Sequence, residues 1–308
     1  MDRTAEAPLD CVVIGGGPAG LTAAIYLARF HLSFRLIDGG DSRAALIPCT
    51  HNHAGYPGGI AGTDLLDRMR TQAEEYGSPI VRTRATGLAK DGDLFTVTAD
   101  DARYQTRSVL LATGVVNNRP NITDDDHDAA LRRGLLRYCP ICDGYEVTDR
   151  KVGVIGRGAH GFNEAKFLRM YTRDVTLISP DADTCLSPEH SAELERIGVE
   201  VSGGPCGRLR IDGEYLVVPT PGGDQAFESV YPALGSVIRS DLARPVGASM
   251  SDDGCLEVDD HQRTTIPGLY AAGDVVKGLD QISHAMGEGG VAATTIRNDL
   301  AERNALLR

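Results

Sequence analysis

The sequence lacks a surplus of positive charge: 43 acidic residues outweigh 31 lysines and arginines, for a formal net charge of −12. Nucleic acid and anionic membrane both require a basic face, so neither is expected as the main partner. Among the cations, arginine far outnumbers lysine. Residues 1–10 lack the apolar segment of a secretory leader and lack a twin-arginine pair. No uninterrupted apolar run of membrane length follows. Residues 11–28 are apolar but broken by glycines and a proline, which suits a strand and a helix better than a span. A cytoplasmic location is expected. A secreted disulfide framework is also missing, since the 7 cysteines are odd in number and scattered. No second Cys-x-x-Cys and no His pair completes a zinc site. His51 and His53 lie two residues apart without a third ligand in sequence, so no metal is expected.

What is present is ordinary globular composition, 42% hydrophobic and 24% charged. The 308 residues suffice for two domains of roughly 100–200 residues each. Residues 11–16 read as a buried strand, 18–30 as its helix and 34–37 as a second strand ending at Asp38. Residues 63–76 read as an amphipathic helix capped by Thr63 and stopped by Gly77. Strands follow at 94–98 and 104–112. Residues 117–128, polar and rich in aspartate, read as a linker. The design then repeats: a strand at 151–155, a helix at 161–171, a strand at 174–178 and shorter strands near 208–218 and 226–231. A second linker fits 235–244, and a final helix fits 286–304. The two halves are a weak internal duplication, and the pattern is α/β.

Gly15, Gly17 and Gly20 form G-x-G-x-x-G between strand and helix. The first glycine permits the tight turn, the second lets backbone approach a pyrophosphate, and the third lets helix pack on strand. The helix start then offers free N–H groups to an anion. Asp38 lies 18 residues after Gly20, near the ~20 at which a carboxylate meets ribose hydroxyls. These features predict dinucleotide binding, with NAD and FAD both open. Gly273-Asp274, followed by a helix, favours FAD: the Asp can bond the ribityl or phosphate region, and the positive helix end suits a reduced flavin.

Cys139-Pro140-Ile141-Cys142-Asp143-Gly144 predicts a redox dithiol. In such pairs the first sulfur usually attacks and the second resolves, through a mixed disulfide. Asp143 is placed to act as general acid or base on a thiol. Cys49 is expected to be a small buried hydrophobe.

Residues 12–20, 112–114, 139–144, 154–158 and 270–290 stand in the order and spacing of the low-molecular-weight thioredoxin reductases, and the chain resembles that family over nearly its whole length. The resemblance implies two Rossmann-like domains of three-layer ββα type, the second inserted into the first. Residues 1–117 with 241–308 would bind FAD, and 118–240 would carry the dithiol. It implies a homodimer, with hinges at 117–120 and 235–240 that let the dithiol meet flavin and substrate in turn. Cys139 would attack the external disulfide, Cys142 would lie nearer the flavin, and Asp143 would shuttle protons. Flavin contacts would come from Gly15, Gly17, Pro18, Ala19, Gly20, Asp38, Asn52, Ala112, Thr113, Gly114, Gly273, Asp274, Gln281 and Ile282. Asp280 stands where the family commonly has Arg.

A second glycine loop, Gly156-Arg157-Gly158-Ala159-His160-Gly161, should hold NADPH by the same resemblance. Ser179 lies 18 residues after Gly161 and is followed by Pro180-Asp181-Ala182-Asp183. The arginines that meet a 2′-phosphate are missing. Two lost charge-assisted bonds cost about 3–6 kcal/mol, at least ~100-fold in affinity. NADPH is therefore a doubtful cofactor. The expected function is an FAD-dependent thiol–disulfide oxidoreductase passing electrons to a thioredoxin-like or small disulfide, with ferredoxin as a candidate donor. The alternatives are a dithiol oxidase that reduces oxygen, an NAD(P)H-dependent reductase with an atypical nucleotide site, and a flavin-binding sensor without turnover.

Overall fold

The computed structural model describes residues 7–303 and 306. In chain order the elements are β1 (Cys11–Ile14), α1 (Pro18–Arg29), β2 (Phe34–Ile37), α2 (Gly62–Glu75), β3 (Ile80–Val81), β4 (Ala85–Asp91), β5 (Leu94–Ala99), β6 (Ala102–Thr106), β7 (Val109–Leu111) and β8 (Val115–Asn117). Then come α3 (Asp124–Arg132), α4 (Pro140–Asp143), β9 (Val152–Gly156), α5 (Gly158–Leu168), β10 (Val175–Ile178), α6 (Pro188–Arg196) and β11 (Glu200–Ser202). The chain ends with β12 (Arg210–Asp212), β13 (Tyr215–Thr220), β14 (Gly223–Phe227), β15 (Ser229–Ala233), β16 (Ser236–Ile238), β17 (Leu269–Ala271) and α7 (Ile282–Arg303). It divides into two compact units: Met1–Leu46, Ala61–Val116 and Ile238–Arg308 form the first, Ile47–Ile60 and Asn117–Val237 the second.

In the first unit a parallel sheet runs in the order β17-β7-β1-β2-β3. Its central strands are apolar throughout, as strands covered on both faces must be. One face packs on the antiparallel meander β4-β5-β6, where Phe95 and Val97 join Val12, Ile14, Val109 and Leu111 in one core. Helices α1 and α7 pack on each other. That approach requires glycine at 289, because a Cβ there would lie 2.3 Å from the Ala19 carbonyl oxygen. The unit therefore has ββα layering.

The second unit repeats the plan with the parallel sheet β11-β10-β9-β15 and the meander β12-β13-β14. Alternate residues of β9 serve opposite faces, as strand periodicity dictates. Val152 and Val154 pack with Phe162, Ala165 and Leu168 of α5, and Ile155 packs with Leu216, Val218 and Phe227 of the meander. Strands β8 and β16 form a two-stranded ribbon.

Several elements differ from the sequence expectation. The aspartate run at 124–126 opens α3 and is not a linker. The Thr123 side chain accepts a hydrogen bond from the Asp126 N–H, and three carboxylates in a first turn favour the positive helix end. α2 begins at Gly62 with Ala61 as its N-cap, so Thr63 does not cap it. Residues 104–112 make two strands, with Ser108 between them buried and bonded to the Asp10 carbonyl. The final helix starts at Ile282, four residues before the expected position 286. Its expected end at 304 and residues 1–6, where no secretory leader is expected, lie outside the described residues.

Candidate functional site

The first glycine loop joins β1 to α1. Gly15 has φ +118°, and a Cβ there would sit 2.1 Å from the Ala112 carbonyl oxygen. At Gly20 the same atom would lie 1.9 Å from Gly15 O. Both positions are closed to any side chain, so the loop lies tight against Ala112, just past the end of β7. Pro18 occupies the first turn of α1, where its missing N–H costs nothing. Gly17 caps that helix without a side-chain bond, and its first turn holds no acid. The positive end is thus left to an outside anion. Ala19 is buried beneath the same turn.

Asp38, at the end of β2, is 4% exposed. One carboxylate oxygen accepts the Gly40 N–H at 2.9 Å. The other meets Arg82 at 3.2 Å and Arg70 at 3.4 Å. Thr113 donates to the Arg239 carbonyl at 2.6 Å, and Gly114, with φ +65°, has open space where a Cβ would point.

The start of α7 gathers charged groups in the same unit. Arg43 lies 3.1 Å from Asp274 and 2.9 Å from Asp280, bridging the two carboxylates. Burial, and then the Asp274 charge, push the Asp280 carboxyl up, while Arg43 opposes both. The Gly273 N–H donates to Glu288 at 2.6 Å, and His284 lies 3.0 Å from that same side chain. Gln281 donates to the Asp280 carbonyl, its own carbonyl accepts the Ala285 N–H, and Ile282 opens the helix. Arg43, absent from the sequence reading, is far from 274 and 280 in the chain, and no local spacing announces it.

In the second unit Cys139 and Cys142 are joined in a disulfide, with Cα atoms 5.2 Å apart. Cys139 caps α4, and its sulfur accepts the Cys142 N–H. Asp143 closes that turn. Arg137 holds one of its oxygens at 2.9 Å, and the Tyr231 hydroxyl donates to the other at 2.9 Å. Burial drives the Asp143 carboxyl above its ordinary range, while the Arg137 charge and the two hydrogen bonds pull it back. Tyr231 is itself fully buried, and burial raises its phenol far above the ordinary value. Sequence reasoning missed Arg137 and Tyr231. The tyrosine arrives from β15, 88 residues downstream, and only the sheet order brings it here.

Residues Ile47–Ile60 fold with this unit. Asn52 accepts the Thr50 hydroxyl at 2.9 Å and donates to the Ile141 carbonyl inside the Cys-x-x-Cys turn at 3.4 Å. Cys49 is exposed, contrary to the expected buried hydrophobe. A Cβ at Gly59 would come within 2.5 Å of its sulfur and 2.8 Å of the His51 ring.

The second glycine loop is differently arranged. The Gly158 N–H donates to the Thr184 carbonyl at 2.8 Å. Arg157 is spent on Asp181 at 2.7 Å. Ser179 is buried and closes a turn, donating to the Asp183 carbonyl and accepting the Asp181 N–H. Residues 181–184 therefore engage the Gly158 N–H and the Arg157 and Ser179 side chains from within the unit.

Two ββα units with glycine loops, one bearing a redox disulfide against a half-buried acid, define a flavin disulfide oxidoreductase. Residues 9–289 match the pyridine nucleotide-disulphide oxidoreductase family, and the chain belongs to that family, within its thioredoxin reductase branch. It is 30% identical over 304 residues to a thioredoxin reductase of Peptoclostridium acidaminophilum, covering 92% of this chain and 95% of that one. A thioredoxin reductase of Mycolicibacterium smegmatis is 30% identical over 317 residues, covering 98% and 99%. The crystal structure of thioredoxin reductase from Streptococcus pyogenes MGAS5005 superposes with a TM-score of 0.88 at 26% identity, covering 96% of this chain and 99% of that one. FAD is the cofactor of this family. The uncapped, acid-free start of α1 and the Asp38 carboxylate beside it suit its pyrophosphate and ribose. Among the described residues no group of three or more His, Cys, Asp or Glu is placed to hold a metal, and no helix is long and apolar enough to cross a membrane.

Proposed function

We propose that this enzyme moves an electron pair between FAD and the Cys139–Cys142 pair, and between that pair and an external thioredoxin-like or small disulfide, without efficient use of NADPH. The flavin, when bound, supplies two-electron chemistry. The protein's own part is thiol exchange and proton handling. Cys139 attacks the external disulfide and forms a mixed disulfide; Cys142 resolves it. Asp143, held by Arg137 and Tyr231, takes and returns the thiol proton.

One observation carries the statement about NADPH. The Gly158 N–H, at the start of the second dinucleotide-type helix, is already bonded to Thr184 O, with Arg157 tied to Asp181 nearby. A nucleotide would have to break both and would gain no arginine pair in return. A cytoplasmic homodimer, flavin contacts from the fourteen residues named above, an inserted domain at 118–240 hinged at 117–120 and 235–240, and ferredoxin as donor belong to the same proposal.

The same closure supports a second reading. If electrons enter from a substrate dithiol, oxygen can accept them: two thiols and O2 give a disulfide and hydrogen peroxide. Ile141 and Tyr145, 52% and 80% exposed beside the redox pair, offer an apolar approach for such a substrate.

The test is to add NADPH, NADH, reduced ferredoxin and dithiothreitol separately to the oxidised, flavin-loaded protein under anaerobic conditions. Bleaching by dithiothreitol or ferredoxin, and none by micromolar NADPH, is expected. Rapid bleaching by NADPH would overturn the proposal. Stoichiometric peroxide on admitting air to the dithiol-reduced protein would favour the oxidase.

A further inference from the structure

α5 packs against the Cys-x-x-Cys turn from behind. On it, Glu164 buries its Oε1 without a hydrogen-bond partner. Glu146, just past the turn, does the same with Oε2. Arg137, which could answer those charges, is already engaged by Asp143 and Ser229. Lys166, the nearest cation along α5, pairs with Glu193. Asp143 thus holds the half-buried Arg137 guanidinium and the Tyr231 hydroxyl, while the neighbouring Glu164 feels the Asp143 charge with no cation of its own. A carboxylate oxygen buried with no partner is unfavourable, so Glu164 favours its protonated form.

We propose that Glu164 is a positioning residue for the dithiol's acid: it and Asp143 share one proton, and each proton that Asp143 exchanges with a thiol is matched by an opposite exchange at Glu164. This inference rests on the functional reading above and deepens it. Breaking the Cys139–Cys142 bond consumes an electron pair and two protons to give two thiols; closing it releases the same. Asp143 alone holds one proton at most. Burial, and then the Asp143 charge, raise the Glu164 carboxyl to about 7. Asp143, with its cation and phenol, therefore ionises first. When a thiol proton neutralises Asp143, the repulsion on Glu164 disappears and Glu164 becomes the stronger acid. Its proton then leaves, and the cluster's charge stays constant. Two such carboxyls titrate as a pair.

The test is the pH dependence of anaerobic flavin bleaching by dithiothreitol in the flavin-loaded protein and in Glu164→Gln, which keeps the shape and loses the charge. Dividing one rate by the other cancels the titration of dithiothreitol itself. The ratio is expected to rise severalfold with pH, with its midpoint near 7. Glu164→Asp should track the unaltered protein, and in an Asp143→Asn background the Gln substitution should add no pH dependence. A ratio flat across pH, with a uniform loss of rate, would overturn the inference, since it would mark a merely structural role. An infrared reduced-minus-oxidised difference gives a readout independent of rate. In the unaltered protein one un-ionised carboxyl band should be lost and another gained on reduction, as the shared proton changes site, and only the Asp143 band should remain in Glu164→Gln; a paired loss and gain unchanged in that variant would also overturn the inference. Failure of dithiothreitol to bleach the unaltered protein at any pH would instead sink the functional reading, and the inference with it.

Discussion

Asp143 shows how a single residue is tuned by opposing effects. Burial raises its carboxyl, and three favourable contacts to the charged form lower it: the Arg137 charge, the Arg137 hydrogen bond and the Tyr231 hydrogen bond. Tyr231→Phe removes only the last. The sign follows directly: losing a donor to the carboxylate destabilises the ionised form, so the Asp143 limb in the pH–rate profile should move to higher pH, by up to about 1 unit. A downward shift would show that the phenol does not donate to the carboxylate. At this scale the sequence was half legible. Cys139, Cys142 and Asp143 are adjacent in the chain, so their spacing carries their chemistry. Arg137 lies six residues before Asp143 and Tyr231 lies 88 after it. The first has no motif, and the second reaches the carboxylate only because β15 pairs with β9. Arg43 at Asp274 and Arg70 at Asp38 were hidden for the same reason: non-local ion pairs leave no periodicity.

Elements were more legible where apolar runs are long and less so where capping decides. The strands β1, β9 and β10 read directly from Val, Leu and Ile. α3 was read as a linker because its aspartates look solvated, yet Thr123 and those aspartates are a helix start. Thr123→Ala should therefore lower stability by about 1 kcal/mol in denaturant unfolding, whereas an unstructured linker would register no change. The α1–α7 contact gives a stronger test. A Cβ at 289 would press on the Ala19 backbone at 2.3 Å, which no side-chain movement relieves. Gly289→Ala should lower the melting temperature, by the equivalent of about 1–3 kcal/mol, and weaken flavin retention, because Ala19 sits in the glycine turn of α1. A variant as stable and as yellow as the parent would contradict that packing argument. The second glycine loop marks the limit of motif reading. Its glycines and register resemble the first loop, but Ser179, Asp181 and Thr184 turn back on it. The missing arginines were visible in sequence, while the bond from Thr184 O to the Gly158 N–H was not.

At the scale of the molecule, the α/β class was visible in sequence from the repeated strand–glycine–helix pattern, and the ββα plan of two units was implied by the family resemblance. The attachment of Ile47–Ile60 to the second unit was not, because that segment has no periodicity of its own and is placed by the Thr50–Ile60 bridge and the Asn52 bond to Ile141. The account as a whole depends on the disulfide and the flavin exchanging an electron pair within one protein. The most direct measurement is anaerobic titration of the flavin-loaded protein with dithiothreitol, alongside Cys139→Ser. The unaltered protein should bleach fully, and the variant should keep its flavin and stay yellow. Equal bleaching of both, or a purified protein that holds no flavin, would contradict the account.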